Sequence, residues 1–123
     1  MILVDTSIWI DHLHRSEAAL SMLLNEAQVC THPMIIGELA LGALQDRKTI
    51  LALLADLPST VQATHAEVVP FVELHGLYGT GLSLVDAHLL AALRLSSPDR
   101  LWTRDLRLRV AAEKLGVSAD LPA

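Results

Sequence analysis

The chain has 123 residues, which is room for one domain with one hydrophobic core, so we expect residues 1–123 to form a single domain. Hydrophobic residues make up 52% of it, but the longest wholly apolar runs, such as 50–55, fall far short of the ~20 residues of a membrane span. The net charge of −5 at pH 7 argues against binding a nucleic acid through overall charge alone.

The N-terminus and the cysteine content both point to the cytoplasm. No basic region precedes the first apolar residues, and Asp5 interrupts them too early for a signal peptide. The single cysteine, Cys30, cannot form an internal disulfide, and its neighbours predict a buried strand thiol. We therefore expect a cytoplasmic protein that makes no membrane contact.

Apolar runs alternate along the chain with segments of helical spacing, without repeats or low-complexity tracts. This alternation predicts an α/β fold with a parallel sheet covered by helices on both faces. In chain order we predict a strand at 2–5, helices at 7–13 and 17–27, a strand at 28–31, helices at 33–44 and 47–56, a strand near 60–63, helices at 65–78 and 83–96, a strand at 100–103 and a helix at 104–115.

The first predicted strand ends at a carboxylate. Asp5 follows the apolar residues 2–4, and open α/β sheets place ligand sites at the C-terminal ends of their strands. Thr6 and Ser7 come next, and both are short polar residues suited to capping a helix. Two interpretations therefore stand, in which Asp5 is a functional carboxylate or only caps the following helix.

Two further acids lie among apolar residues of predicted helices. Glu38 has apolar neighbours one turn away on either side and no Lys or Arg in reach, so we expect it on a buried face, where an ionised acid is costly. Asp86 has similar neighbours, but Ser83-x-x-Asp86 also fits a capping box. Glu38 lies too far past Pro33 for the helix dipole to explain it, and is the more informative of the two.

The fourth acid follows the last predicted strand. Asp105 opens a helix with Thr103 as its expected N-cap, and Arg109 lies four residues on, at the spacing of an ion pair, so a structural role stays open. If the four acids converge, they repel one another unless divalent cations lie between them. Ligand sets made only of oxygen favour Mg²⁺ or Mn²⁺ over zinc.

The histidines do not form a zinc motif. His12 and His14 flank Leu13 and lie on different faces of a predicted helix. No Cys or acid stands at ligand spacing from His32 or His75. We expect these side chains, and that of His65, to lie on the surface or to cap helices.

The acids occupy four short segments: Val4-Asp5-Thr6-Ser7-x-Trp9-Ile10, Pro33-x-x-x-Gly37-Glu38-Leu39, Leu84-Val85-Asp86-Ala87-x-Leu89-Leu90-Ala91-Ala92 and Leu101-x-Thr103-Arg104-Asp105. In this order and at these spacings they resemble the four acidic blocks of PIN-domain ribonucleases. Within that superfamily, the chain length and the residues of the blocks are similar to those of VapC, the toxin of VapBC toxin–antitoxin pairs. The resemblance covers essentially the whole chain.

The resemblance implies a PIN-like three-layer α/β/α fold and an endoribonuclease that depends on Mg²⁺ or Mn²⁺ and leaves 5′-phosphate and 3′-hydroxyl ends. It implies that Asp5 and Asp86 hold the principal ion. Glu38 would complete the site and orient or deprotonate the attacking water. Asp105 would hold a weaker second ion or bind it through water.

Short polar and basic residues accompany these acids. By the same resemblance, Thr6, Ser7 and Thr103 would hydrogen-bond the carboxylates or a phosphate. Many relatives carry another acidic or polar residue and then a Phe shortly after the fourth acid, where this chain has Arg107 and Leu108. That departure weakens the case for a firmly bound second ion, and it leaves Arg107 as either a phosphate contact or a solvated side chain.

The resemblance also implies partners: an RNA substrate, with tRNA and rRNA as candidates, and a cognate VapB-like antitoxin that lays a peptide across the active-site groove. A homodimer within a toxin–antitoxin assembly is expected. Six of the nine Lys and Arg lie in the last third of the chain, as a basic rim for RNA or as a solvated helix face.

Two other functions compete with this one. The first is a catalytically silent PIN-like binding module, which the presence of all four acids argues against. The second is a flavodoxin-like signalling module that uses Asp5 as a phosphoacceptor. It is weakened because Lys48 and Lys114 are the only lysines and neither ends a strand near the acids.

Overall fold

The computed structural model describes residues 1–122. Their sheet consists of three parallel strands in the order β2-β1-β3, where β1 spans Ile2–Val4, β2 spans Val29–Cys30 and β3 spans Arg100–Trp102. The helices of these residues are α1 (Thr6–His14), α2 (Ala18–Asn25), α3 (Pro33–Leu41), α4 (Arg47–Ala55), α5 (His65–His75), α6 (Leu84–Leu95) and α7 (Leu106–Lys114). Among them, none is long and apolar enough to cross a bilayer.

The centre of the sheet is fully buried. Leu3 and Val4 on β1 have no exposed surface, as a short apolar strand covered on both faces requires. Trp102 on β3 and Leu90 on α6 belong to the same core. The α/β class and the three-layer α/β/α arrangement expected from the sequence are confirmed.

The strand predicted near 60–63 is wrong. A single parallel bridge between Thr31 and Ser59 takes its place at the edge of β2. After this bridge the backbone pairs outside the sheet, since the N–H of Val61 donates to the hydroxyl of Ser96, the C-cap of α6, at 2.9 Å. The segment is therefore not a strand, because it pairs with its neighbour at one bridge only.

Several helices are shorter than predicted, and a left-handed glycine explains one of the differences. α5 ends at His75 instead of 78 because Gly76 takes the left-handed φ of 62° and its N–H donates to the carbonyl of Glu73. α3 ends at Leu41 instead of 44, with Gly42 as its C-cap.

The parallel strands place the candidate residues at one edge of the sheet. β1 leads directly into Asp5 and α1, while β3 leads through Thr103 into α7. The two connections stay paired beyond the strands, because the N–H of Asp5 donates to the carbonyl of Trp102 at 3.0 Å. Asp5 and Thr103 are therefore neighbours at the C-terminal edge, where open α/β folds bind their ligands.

Candidate active site

The carboxylate of Asp5 is buried and held by two hydroxyl groups. Its side chain is 7% exposed, and its Oδ2 accepts hydrogen bonds from Thr103 Oγ1 at 2.6 Å and from Ser7 Oγ at 3.0 Å. Asp5 occupies the N-cap position of α1, but its side chain makes no capping hydrogen bond. The interpretation that Asp5 only caps this helix is therefore wrong. Within residues 1–122, its Oδ1 accepts no hydrogen bond and is free for a ligand.

The two hydroxyl groups also hold the connection between β3 and α7. Ser7 Oγ accepts from the N–H of Arg104 at 3.1 Å, and Thr103 Oγ1 accepts from the N–H of Asp105 at 3.0 Å. Each hydroxyl thus donates to Asp5 and accepts from the connection that carries Asp105. The two acids are fixed relative to each other through these bonds.

The helix start at Asp105 differs from the prediction. α7 begins at Leu106, and its N-cap is Asp105, whose side chain accepts from the N–H of Leu108 at 3.2 Å. The expected N-cap, Thr103, is wrong because its hydroxyl is bound to Asp5. Arg109, which the sequence left open as a partner of Asp105, lies beside Glu113 instead, with 3.6 Å between Nε and the carboxylate.

Asp86 combines a capping role with a place beside the other acids. Ser83 N–H donates to Asp86 Oδ2 and Asp86 N–H donates to Ser83 Oγ, both at 3.1 Å, which confirms the predicted capping box. Burial raises the pKa of the Asp86 carboxyl, and the negative charges of Asp5 and Asp105 raise it further, against the bonds from Ser83. The three aspartates are close enough to repel one another.

Glu38 on α3 is connected to this group through Thr6. Thr6 Oγ1 donates to Glu38 Oε1 at 2.8 Å, so Glu38 is tied to the residue that follows Asp5. The expectation that Glu38 lies on a buried face is wrong, because it is exposed, as are its apolar neighbours Met34 and Leu41. That side of α3 faces an open cleft.

Neighbouring cations do not neutralise the four acids. Arg104 stands next to Asp105, but its Nη1 contacts Asp11 Oδ2 and Glu17 Oε1, each at 2.6 Å. The guanidinium lowers the pKa of the Glu17 carboxyl. Arg109 Nε lies 3.6 Å from the carboxylate of Glu113. Within the described chain, therefore, neither Lys nor Arg forms an ion pair with Asp5, Glu38, Asp86 or Asp105.

The donor chemistry suits a hard divalent cation. In residues 1–122, no three His, Cys, Asp or Glu side chains stand in a ready-made ligand arrangement. The group nevertheless consists of carboxylate oxygens, it lacks an ion-pair partner among these residues, and Oδ1 of Asp5 accepts no hydrogen bond there. Oxygen ligands with uncompensated negative charge match the preferences of Mg²⁺ and Mn²⁺.

Comparison with known proteins agrees with this geometry. The PIN domain family matches the chain over residues 2–114. The chain belongs to the PIN domain family. It is also 47% identical over 118 residues to Ribonuclease VapC32 of Mycobacterium tuberculosis, in strains CDC 1551 / Oshkosh and ATCC 25618 / H37Rv, which covers 96% of this chain and 95% of the relative. The predicted relationship to VapC-type PIN domains is confirmed, and the flavodoxin-like alternative loses its support.

The basic residues of this PIN domain do not form a single rim, which was one of the two arrangements that the sequence left open. Arg100 opens β3, at the opposite end of the strand from Thr103, and its guanidinium donates to the carbonyl of Gly116. Arg94 donates to the carbonyl of Leu115 at 3.1 Å in the same region. Both cations therefore stabilise the end of α7 and lie away from the acids.

His32 has the capping role expected of it, but inside the protein. Its Nδ1 accepts from the N–H of Met34 at 3.0 Å at the start of α3. Burial lowers the pKa of its imidazole to about 4, with a smaller effect from nearby His88. His32 Nε2 is buried without a hydrogen-bond partner in the described part of the chain. His32 is thus a neutral structural residue of this PIN domain.

The sequence did not reveal the ion pairs that hold the β3–α7 connection. Asp11 and Glu17 lie about ninety residues before Arg104 in the chain, on α1 and at the N-cap of α2. Their charges alone give no sign of which partner they meet. Only the fold shows that this arginine is directed away from the neighbouring Asp105.

Proposed function

We propose that this PIN domain is the toxin of a type II toxin–antitoxin pair and an endoribonuclease that depends on Mg²⁺ or Mn²⁺ and leaves 5′-phosphate and 3′-hydroxyl ends. The observation that carries the proposal is that Thr103 links Asp5 to Asp105 by hydrogen bonds, with Asp86 near enough for their charges to affect it, while no Lys or Arg in residues 1–122 pairs with any of the three. The name of the relative, Ribonuclease VapC32, supports the same chemistry. For this PIN domain we propose RNA as the substrate class, with tRNA and rRNA as candidates, and the cytoplasm as the compartment.

Asp5 and Asp86 hold the principal ion in this proposal. Thr103 and Ser7 bind Oδ2 of Asp5, which leaves Oδ1 for the ion. Asp105 contributes a weaker second position. When bound, the ion acidifies a water molecule and neutralises charge on the leaving oxygen. Burial and, to a smaller extent, the charges of Asp5 and Asp105 raise the pKa of Asp86, and a bound cation would favour the ionised form of that carboxyl against both.

Glu38 orients the attacking water and accepts its proton. Thr6 donates to Oε1 of Glu38, which leaves Oε2 available for the water. The exposure of Glu38 suits this role, since the proton must pass on to solvent. Arg107 stands two residues after Asp105 on the first turn of α7, where we propose that it contacts a phosphate of the RNA.

A cognate VapB-like antitoxin is the proposed inhibitor. A cleft of about 470 Å³ lies between α1 and the end of α3, and its wall combines Glu38 with the apolar Ile10, Leu13 and Leu39. A peptide with apolar side chains and one basic side chain could fill this cleft and bring its positive charge to the acids. We also propose a homodimer within the toxin–antitoxin assembly, since Leu41, 91% exposed, is among several apolar side chains that lack cover.

The test is cleavage of cellular RNA with Mn²⁺ by wild type, by Asp5→Asn and by the control Asp56→Asn, which removes an exposed acid at the end of α4. We expect discrete cuts with 5′-phosphates from wild type and control, and none from Asp5→Asn. Chelation with EDTA abolishes the cuts. If folded, antitoxin-free wild type cuts no more than Asp5→Asn, the nuclease proposal fails and a silent PIN-like binding module becomes the better account.

A further inference from the structure

We propose that the cleft between the 76–82 connection and α7 binds the RNA strand next to the scissile phosphate. This inference rests on the proposed nuclease function and extends it to the path of the substrate. The cleft measures about 450 Å³, and its wall combines apolar side chains such as Leu82 and Val110 with the basic Arg107 and Lys114. We call it the α7 cleft.

The α7 cleft adjoins two of the acids through the chain itself. Leu106 and Arg107, which line it, follow Asp105 directly. On the opposite wall, Leu82 directly precedes the capping box that contains Asp86. A strand whose phosphate lies between Asp86 and Asp105 therefore continues into this cleft without crossing another element.

The distribution of unpaired cations favours a polyanion in the α7 cleft. Five of the nine Lys and Arg donate to carbonyls or pair with acids, namely Arg47, Arg94, Arg100, Arg104 and Arg109. In the described residues, the side chains of Arg15, Lys48, Arg107 and Lys114 have no such partner. Two of these four line the same cleft, beside the acids, in a protein of net charge −5.

The position of Arg107 depends on a glycine. Gly81 has a φ of 83°, and a Cβ placed on it would lie 2.6 Å from Nη1 of Arg107. The bare backbone at Gly81 therefore lets the guanidinium lie close against the 76–82 connection. Lys114 follows seven residues later, which is two helical turns, or about 10 Å, along the same face of α7.

An RNA strand matches both parts of this wall. Its phosphates suit Arg107 and Lys114, and an unstacked base suits the apolar side chains between them. An apolar protein surface would bury the two cations without a counter-charge, which is costly. The chemistry of the cleft thus favours single-stranded RNA over a protein partner.

The experiment measures binding of a short, fluorescein-labelled, single-stranded RNA of random sequence in Mg²⁺, with Asp5→Asn in every protein to prevent cleavage. The cleft variant Arg107→Ala/Lys114→Ala is compared with Arg15→Ala/Lys48→Ala, which removes the same charge outside the cleft. We expect the cleft variant to bind about tenfold more weakly. Its salt dependence should fall by about 1.4 in slope, for two lost phosphate contacts. The control should bind as the parent does.

An equal loss of RNA affinity in both variants would mean that overall charge holds the RNA. No loss of affinity in the cleft variant would mean that the strand runs elsewhere. Either result overturns the inference. A cleft variant that changes only the oligomeric state, measured by sedimentation, would make the cleft an interface between copies. With Asp5 restored, cleavage should show a raised KM and an unchanged kcat for the cleft variant. Cleavage by the wild type separates failure of the cleft from failure of the nuclease proposal.

Discussion

The hydroxyl of Thr103 makes the shorter of the two hydrogen bonds to the carboxylate of Asp5. It is buried, it donates to Asp5 Oδ2 at 2.6 Å and it accepts from the N–H of Asp105 at 3.0 Å. Thr103→Val keeps the shape of the side chain and removes both bonds. We therefore predict a loss of stability together with a weaker hold on the carboxylate.

The size of the loss follows from the two bonds. A buried hydrogen bond to a charged group is worth about 1.5–3 kcal/mol, and a neutral one about 1 kcal/mol. We expect Thr103→Val to lower the free energy of unfolding by about 3 kcal/mol, which for a chain of this size lowers the Tm by about 10 °C. Loss of the residue that orients a ligand also lowers Mn²⁺ affinity by about tenfold or more.

The assay is urea unfolding of the metal-free protein in EDTA, followed by Mn²⁺ titration. Thr31→Val is the matched control, because Thr31 is equally buried at the end of β2 but its Oγ1 has no hydrogen-bond partner in residues 1–122. We expect Thr31→Val to change stability by no more than about 0.5 kcal/mol. If both variants lose the same stability and keep their Mn²⁺ affinity, the hydroxyl of Thr103 does not hold Asp5.

Other groups give predictions of different sign. The raised pKa of Asp86 means that its ionised form opposes folding at a pH above that pKa. Asp86→Asn should therefore match or exceed the wild-type Tm at pH 7 in EDTA and lose this advantage at pH 4. A lower Tm at pH 7 would contradict this. The pKa of His32 is about 4 in the folded protein and ordinarily 6.5. Protonation of this imidazole therefore opposes folding, and the wild type should lose about 3 kcal/mol of stability as the pH falls from 6.5 to 4. His32→Asn, a good N-cap, should flatten that slope in urea unfolding, and an unchanged slope would contradict this. Arg104→Ala should lower stability by about 1 kcal/mol in low salt and less in high salt, since its partners Asp11 and Glu17 are partly exposed; an equal loss at both salt concentrations would argue against the ion pairs.

The carboxylates at strand ends and helix starts were the part of the site that the sequence could predict. Asp5 follows an apolar strand and Asp105 follows the last strand, so parallel topology brings them to one edge. The capping box at Ser83 and Asp86 is a local pattern within four residues, and the structure contains it. Local spacing and a known sheet topology carry this information.

The errors concern contacts between distant segments. Glu38 was expected on a buried face because its neighbours are apolar, but that face borders a cleft, and sequence spacing cannot tell a covered face from an open one. The partners of Arg104 are about ninety residues away. Such pairings depend on tertiary packing and not on local pattern.

The location of a bound ion tests the central claim most directly. We would soak crystals of the wild-type protein in Mn²⁺ and calculate an anomalous difference map at the manganese edge, with Asp5→Asn crystals as the control. We predict a peak bounded by carboxylate oxygens of Asp5 and Asp86 in the wild type and no peak there in the variant. A wild-type map without a peak at these two aspartates, or with its only peak elsewhere, would contradict the metal-dependent site proposed for this PIN domain.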